Sequence, residues 1–131
     1  MSANLNNLST LVYAHLAANS IHGVTHILAG VGLNLMQFAF VSIVVMILPL
    51  VGLYTYKNNE HQGTLVCLLS IMASGMFGTY YHYIFVSPDN VSQIPFTIAG
   101  ILFMITAFLI SFIDGTASFL IYRMLYLNKA D

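Results

Sequence analysis

The chain has 131 residues, of which 59% are hydrophobic and only 5% are charged, and its formal net charge is −1. Ordinary soluble domains carry about 25% charged residues, so this composition is typical of a membrane protein. Three basic side chains are too few for a nucleic-acid interface or for a polybasic patch that binds anionic lipid, and neither kind of partner is expected.

Four apolar stretches follow one another along the chain, and each reaches the roughly 20 residues that one membrane crossing needs. The first is the least hydrophobic, and it follows a polar stretch, Met1 to Leu8, with Ser9 or Thr10 as its helix cap. The spans lie at about 11–32, 35–54, 64–86 and 95–114. They predict an all-α integral membrane protein whose residues 1–131 form a single domain, a four-helix transmembrane bundle.

Glycine, proline and polar residues mark the ends of these spans. A chain reversal is expected at Gly30 to Asn34, and Lys57 to Gln62 is the one plainly polar loop. Pro49 removes a backbone hydrogen bond and should kink the second helix, while Ser92 is a candidate cap for the fourth. Residues 115–131 either extend the fourth span or form an interfacial helix.

The basic residues predict the orientation of the bundle. With four crossings, Lys57, Arg123 and Lys129 all fall on one side of the membrane, and the other two loops contain neither Lys nor Arg. The positive-inside rule then places both termini in the cytoplasm. We therefore expect a multi-pass protein of the cell membrane.

A stripe of polar side chains runs along the first predicted span. At about 100° per residue, His15, Asn19, His22 and His26 lie within roughly 60° of one another on the helix surface. Polar side chains that face lipid are costly, so the stripe should turn toward the interior of the bundle. Hydrogen bonding between helices is the simplest use for such residues.

Distances along the helices divide the polar residues into two layers. His26 and His82 lie at matching depth, about 7–9 Å from the ends of their spans, and His22 is one turn deeper. We call His22, His26 and His82 the outer layer. His15, Asn19 and Asp114 fall near the opposite, cytoplasmic end, and we call them the inner layer.

The outer layer suggests two kinds of cofactor. His22 and His26 at positions i and i+4 can offer both rings to one ion, with His82 as a third ligand, and imidazole ligands suit copper or zinc. The second hypothesis is haem b between His82 and a histidine of the first span, in a trough left by Gly75 and Gly78.

The favoured function is a small subunit of a larger membrane assembly, a redox or metal-dependent oxygenase complex of the copper membrane monooxygenase or respiratory kind. Its expected partners are the lipid bilayer and other membrane subunits. Catalysis by the chain alone is not expected, because the sequence has no CxxC, HExxH, Gly-x-Ser-x-Gly or phosphate-binding loop. The alternative is a self-sufficient b-type haem or metal-binding protein, and the third is an ion or proton transporter that uses Asp114.

Overall fold

The computed structural model describes residues 2–126, with side chains from residue 5 onward, and within this range it is all-helical and has no strand. Three of its four helices are long and apolar enough to cross a membrane, which supports membrane association. The helices are α1 (Ser2–Ala29), α2 (Leu35–Tyr56), α3 (Glu60–Ile84) and α4 (Ile98–Tyr126). The predicted all-helical class is confirmed, while the fourth crossing by the more polar α1 stays a prediction.

The order of the helices in space differs from their order in the chain. α1 packs along α4, α4 along α3, and α3 along α2, so that α1 and α2 touch only lightly. The contact between α2 and α3 is especially close, because a Cβ atom at Gly63 would clash with the backbone of Tyr56. A weak contact between α1 and α2 leaves space between them at the level of the outer layer.

The first helix begins earlier than the sequence indicated. We expected Met1 to Leu8 to precede the helix and Ser9 or Thr10 to cap it, and this was wrong, because α1 begins at Ser2. Leu8 and Val12 are fully buried in a core cluster with Ile121 and Leu125 of α4, and this packing outweighs the polar composition of the stretch. The reversal at Gly30 follows, with a backbone φ of 69° at that glycine.

The starts of α3 and α4 also differ from those predicted from the sequence. Glu60 to Gln62, expected within a loop, form the first turn of α3, because the Asn59 side chain accepts a hydrogen bond from the Gln62 backbone nitrogen at 3.0 Å. Ser92, expected to cap the fourth helix, lies in a short 3-10 helix, Val91–Gln93. The hydroxyl of Thr97 instead accepts from the backbone nitrogen of Gly100 at 3.1 Å, and α4 begins at Ile98.

Two segments of the described helices are π-helical. One, Val41–Ile47, directly precedes Pro49 in α2, and the other, Tyr80–Ile84, ends α3 and contains His82. Pro49 has no N–H, so one backbone donor is missing just after the segment that contains Val45. The carbonyl of Val45 contacts a side chain of another helix, with Nε2 of His15 at 2.9 Å.

The last helix is continuous from Ile98 through Gly115 to Tyr126, so residues 115–126 extend the fourth helix. Residues 127–131, including Lys129, lie outside the described residues. Leu8, Tyr56 and Leu125 share one core cluster, so the start of α1, the end of α2 and the end of α4 lie at the same end of the bundle.

Candidate metal centre

Three histidines from two helices meet in the interior of the bundle. α1 supplies His22 and His26, one turn apart, and the π-helical end of α3 supplies His82. The Nε2 atom of His22 lies 3.1 Å from Nε2 of His82 and 3.1 Å from Nε2 of His26. The three side chains are buried, and one ligand atom from each lies within 4.8 Å of the other two. All three residues of the outer layer therefore lie together.

The partners of the Nδ1 atoms assign the tautomers of two of these rings. Nδ1 of His26 donates to the carbonyl of Val31 at 3.2 Å, and Nδ1 of His82 donates to the carbonyl of Asp89 at 3.0 Å. A carbonyl only accepts, so the ring proton of each neutral imidazole is on Nδ1. Nε2 of both rings then presents a lone pair to the centre of the cluster.

The third ring, that of His22, is oriented by a threonine of α4. Its Nδ1 atom lies 2.8 Å from the hydroxyl of Thr106, which itself lies 2.9 Å from the carbonyl of Leu102 and 3.0 Å from the hydroxyl of Thr25. When the Thr106 hydroxyl donates to this carbonyl, it accepts from Nδ1 of His22, and Nε2 of His22 is then also without a proton. Three Nε2 atoms this close need a proton or a metal cation between them, and hydrogen bonds from the other ring nitrogen are typical of metal-binding histidines.

A buried carboxylate that the sequence did not indicate lies beside the cluster. Asp89 is 3% exposed, and its Oδ1 atom is 3.4 Å from Nδ1 of His26, with no hydrogen-bond partner among the described residues. Its Oδ2 atom accepts from the amide of Gln37 at 3.2 Å. On the Nδ1 side of a ring, a carboxylate cannot be a ligand of the same ion, but its negative charge compensates a cation on the Nε2 side.

An aromatic side chain covers the cluster from the side of α4. Phe103 is fully buried, and its ring centroid lies 4.9 Å from that of His22, 4.8 Å from His26 and 5.5 Å from His82. Phe103 therefore gives the three rings an apolar neighbour, which strengthens electrostatic interactions within the cluster. Sequence analysis missed both Phe103 and Thr106, because neither differs in type from the other residues of an apolar span.

The spacing of the nitrogens favours a metal ion over haem b. Zinc binds imidazole nitrogen at about 2.0–2.1 Å, which places two nitrogens of a tetrahedral site about 3.3 Å apart. A macrocycle between His22 and His82 would have to separate rings whose centroids are 4.8 Å apart and which contact edge to face. The expected trough is also partly filled, because a Cβ atom at Gly75 would lie 3.2 Å from Cβ of Asp114.

The inner layer is held together by hydrogen bonds from four helices. Nδ1 of His15 and Oδ1 of Asp114 are 2.6 Å apart, and Nε2 of His15 donates to the carbonyl of Val45 at 2.9 Å. Ser74 donates to Oδ2 of Asp114 at 2.7 Å, and Asn19 donates to the backbone carbonyl of His15 at 3.0 Å. Because Nε2 already carries a proton, the short contact between His15 and Asp114 contains one further, shared proton.

The structure thus places the predicted polar residues in two groups, the outer layer around the Nε2 atoms and the inner layer around one shared proton. Their separate grouping agrees with the depths expected from the sequence. No family model, curated protein or solved structure matches this chain. The chemistry of the candidate site is therefore argued from its own geometry.

Proposed function

We propose that this protein is an integral membrane metal-binding protein that holds one divalent transition-metal ion on the Nε2 atoms of His22, His26 and His82. The observation that carries the proposal is the convergence of three Nε2 atoms, each on a ring whose Nδ1 atom contacts an oxygen atom. Three protein ligands leave a fourth position for water or a substrate, as in zinc sites that do chemistry rather than support a fold.

The donor set favours zinc or copper. Its three ligands are neutral imidazoles, whereas the common non-haem iron site uses two histidines and a carboxylate. The nearest carboxylate, Asp89, lies on the Nδ1 side of His26 and would act by compensating charge. Whichever of the two metals binds, the role of the protein is to fix three nitrogens and to leave one position open.

We propose that the protein that carries this centre is a small subunit of a larger membrane assembly, a redox or metal-dependent oxygenase complex. Short connections join the described helices, so a metal with an open position would act together with groups from partner subunits. We also propose four crossings with both termini in the cytoplasm. Lys57 and Arg123 support this orientation, because they lie at the same end of the bundle as the start of α1.

Metal analysis of the full chain purified in mild detergent tests the proposal. We expect one equivalent of Zn²⁺ per chain, and a Co²⁺-substituted sample should show the visible absorption bands of a four-coordinate site. His82→Ala should lose both, while His61→Ala, a matched change at an exposed histidine in the first turn of α3, should keep both. Loss of less than half the metal in His82→Ala, or equal loss in His61→Ala, would contradict the proposal.

Native extraction tests the subunit setting separately. If the chain works within an assembly, defined partner chains should co-purify with it from its own membrane at fixed stoichiometry. Recovery of a metal-loaded chain alone would favour the self-sufficient metal-binding protein. A strong Soret band from the same sample would instead show haem and would overturn the assignment of a bare metal ion.

A further inference from the structure

A large cavity lies between α1, α2 and α3, where the first two helices touch only lightly. Its volume is about 800 Å³, and His22, His82 and Asp89 line it beside the metal centre. Asn19 and Ser74 line it near the inner layer, and the surface between these polar positions is mostly apolar and includes Phe38. A mainly apolar cavity with a few polar groups at defined positions is the usual form of a small-molecule site.

One helical glycine lies in the wall of this cavity without a packing reason. Gly23 is in the interior of α1, and a Cβ atom there would meet nothing within 4 Å. Glycine inside a helix costs about 1 kcal/mol relative to alanine, and Gly63 and Gly75 offset this cost through close contacts with a neighbouring helix. What Gly23 contributes is room inside the cavity.

The size of the cavity limits what it can hold. A volume of about 800 Å³ falls within the range of roughly 300–1,000 Å³ that is usual for small-molecule pockets. The apolar wall selects a molecule that dissolves in the membrane.

We propose that this cavity binds a membrane-dissolved molecule with a hydrocarbon body and a neutral, oxygen-bearing head, and that the head reaches the open position of the metal. The buried carboxylate of Asp89 in the cavity wall already compensates part of the charge of the proposed ion, so the head need not be anionic. The placement of the head depends on the proposed function, whereas the binding of the body depends only on the cavity.

Tryptophan fluorescence offers a direct test, because the chain contains no tryptophan. Phe38→Trp places a reporter in the cavity wall, and Phe112→Trp is a matched reporter on α4 away from the cavity; the native side chains are 60% and 64% exposed. In proteoliposomes, 12-bromododecan-1-ol should quench Phe38→Trp saturably and at about tenfold lower concentration than Phe112→Trp, which reports only partitioning into lipid. Equal quenching of the two reporters would overturn the proposal.

A second substitution identifies the cavity as the place of binding. Gly23→Leu, combined with Phe38→Trp, should remove the excess quenching because leucine fills the cavity. Gly115→Leu is the control, since a side chain there also meets nothing within 4 Å and does not lie in this cavity. Unchanged quenching in the Gly23→Leu protein, with its helical circular dichroism intact, would contradict binding at this site.

The head and the metal are tested by two further comparisons. In the Zn²⁺-loaded protein the alcohol should bind about tenfold more tightly than 1-bromododecane, and this preference should vanish after chelation. If the Zn²⁺-loaded protein bound the alcohol and 1-bromododecane equally well, the placement of the head at the metal would be wrong, while binding of the hydrocarbon body in the cavity would stand. Saturable quenching by both probes in a protein that binds no metal would support the cavity and contradict the proposed function, so that the two failures are distinguishable.

Discussion

Both polar layers contain buried histidines on α1, yet their ring nitrogens have different partners. In the inner layer, both nitrogens of His15 meet oxygen atoms, those of Asp114 and of the Val45 carbonyl. In the outer layer, Nδ1 of each ring meets an oxygen atom but the Nε2 atoms meet one another. A buried histidine with two complementary partners has a structural explanation, whereas converging Nε2 atoms need a proton or a metal ion between them.

The two layers also place their carboxylates differently. Asp114 is in direct contact with His15 and shares its proton, so charge is compensated within the pair. Asp89 lies behind the ring of His26, with one oxygen atom left without a hydrogen bond among the described residues. This second arrangement compensates a charge on the far side of the imidazole, which is where the proposed metal would lie.

The largest expected effect comes from removing the carboxylate of the inner layer. Asp114→Ala leaves Nδ1 of His15 buried without its partner, and breaking a buried pair of this kind costs about 3–5 kcal/mol. Thermal unfolding in detergent, followed by circular dichroism, should therefore show a much lower midpoint. Bound Zn²⁺ per folded chain should stay the same, because the outer layer keeps its ligands.

The double variant His15→Phe/Asp114→Leu sharpens the comparison further. If the inner layer is structural, an apolar pair of similar volume should recover much of the lost stability and still bind metal. Loss of metal from either variant at a temperature where it remains folded would show that the two layers act as one site.

A smaller effect, on affinity and not on stability, is expected from Asp89→Asn. The amide keeps the size of the side chain but removes the negative charge behind His26. Changes to partners of ligating histidines lower metal affinity about 10–100-fold. Competition with a chelator of known affinity measures the change, and Glu60→Gln, at an exposed acidic residue in the first turn of α3, is the control for overall charge. If the Asp89→Asn protein bound Zn²⁺ with unchanged affinity, the carboxylate of Asp89 would not contribute to metal binding.

The smallest effect is expected from Thr106→Val, which removes the acceptor of Nδ1 of His22 without changing the shape of the side chain. The ring is then free to adopt the other tautomer, and affinity for Zn²⁺ should fall by about tenfold. Thr64→Val is the matched control on α3, because the buried hydroxyl of Thr64 donates to a carbonyl of its own helix, that of Glu60, at 2.7 Å. If the two variants bound Zn²⁺ with equal affinity, Thr106 would not be the residue that orients His22.

The sequence was sufficient to predict the helical class, and helix periodicity and rise place His15, His22 and His26 on one face of α1. It did not predict their partners. Asp89 follows Pro88 in a connecting segment, where an acidic residue signals only a turn, and its burial depends on how that segment folds back over His82. Thr106 is a small residue in an apolar helix, and its role depends on α4 lying beside α1.

The sequence also did not show which helices pack against one another. A helix surrounded by lipid is apolar on every side, so the periodicity of α2 and α4 does not reveal which face meets protein. Pro49 was recognised as a break in α2, but the result of that break depends on another helix. The carbonyl of Val45 becomes useful only because His15 lies opposite it.

Both polar layers contact a π-helical segment, since His15 bonds to Val45 within Val41–Ile47 and His82 belongs to Tyr80–Ile84. A π turn accommodates extra chain within a helix, so loss of one residue there would rewind it to the tighter α form. The turns on either side would keep their facing, but the residues within the shortened segment would not. In these two segments the number of residues therefore sets the direction of the Val45 carbonyl and of the His82 ring, and loss of one residue should disturb these groups more than a substitution at a lipid-facing position.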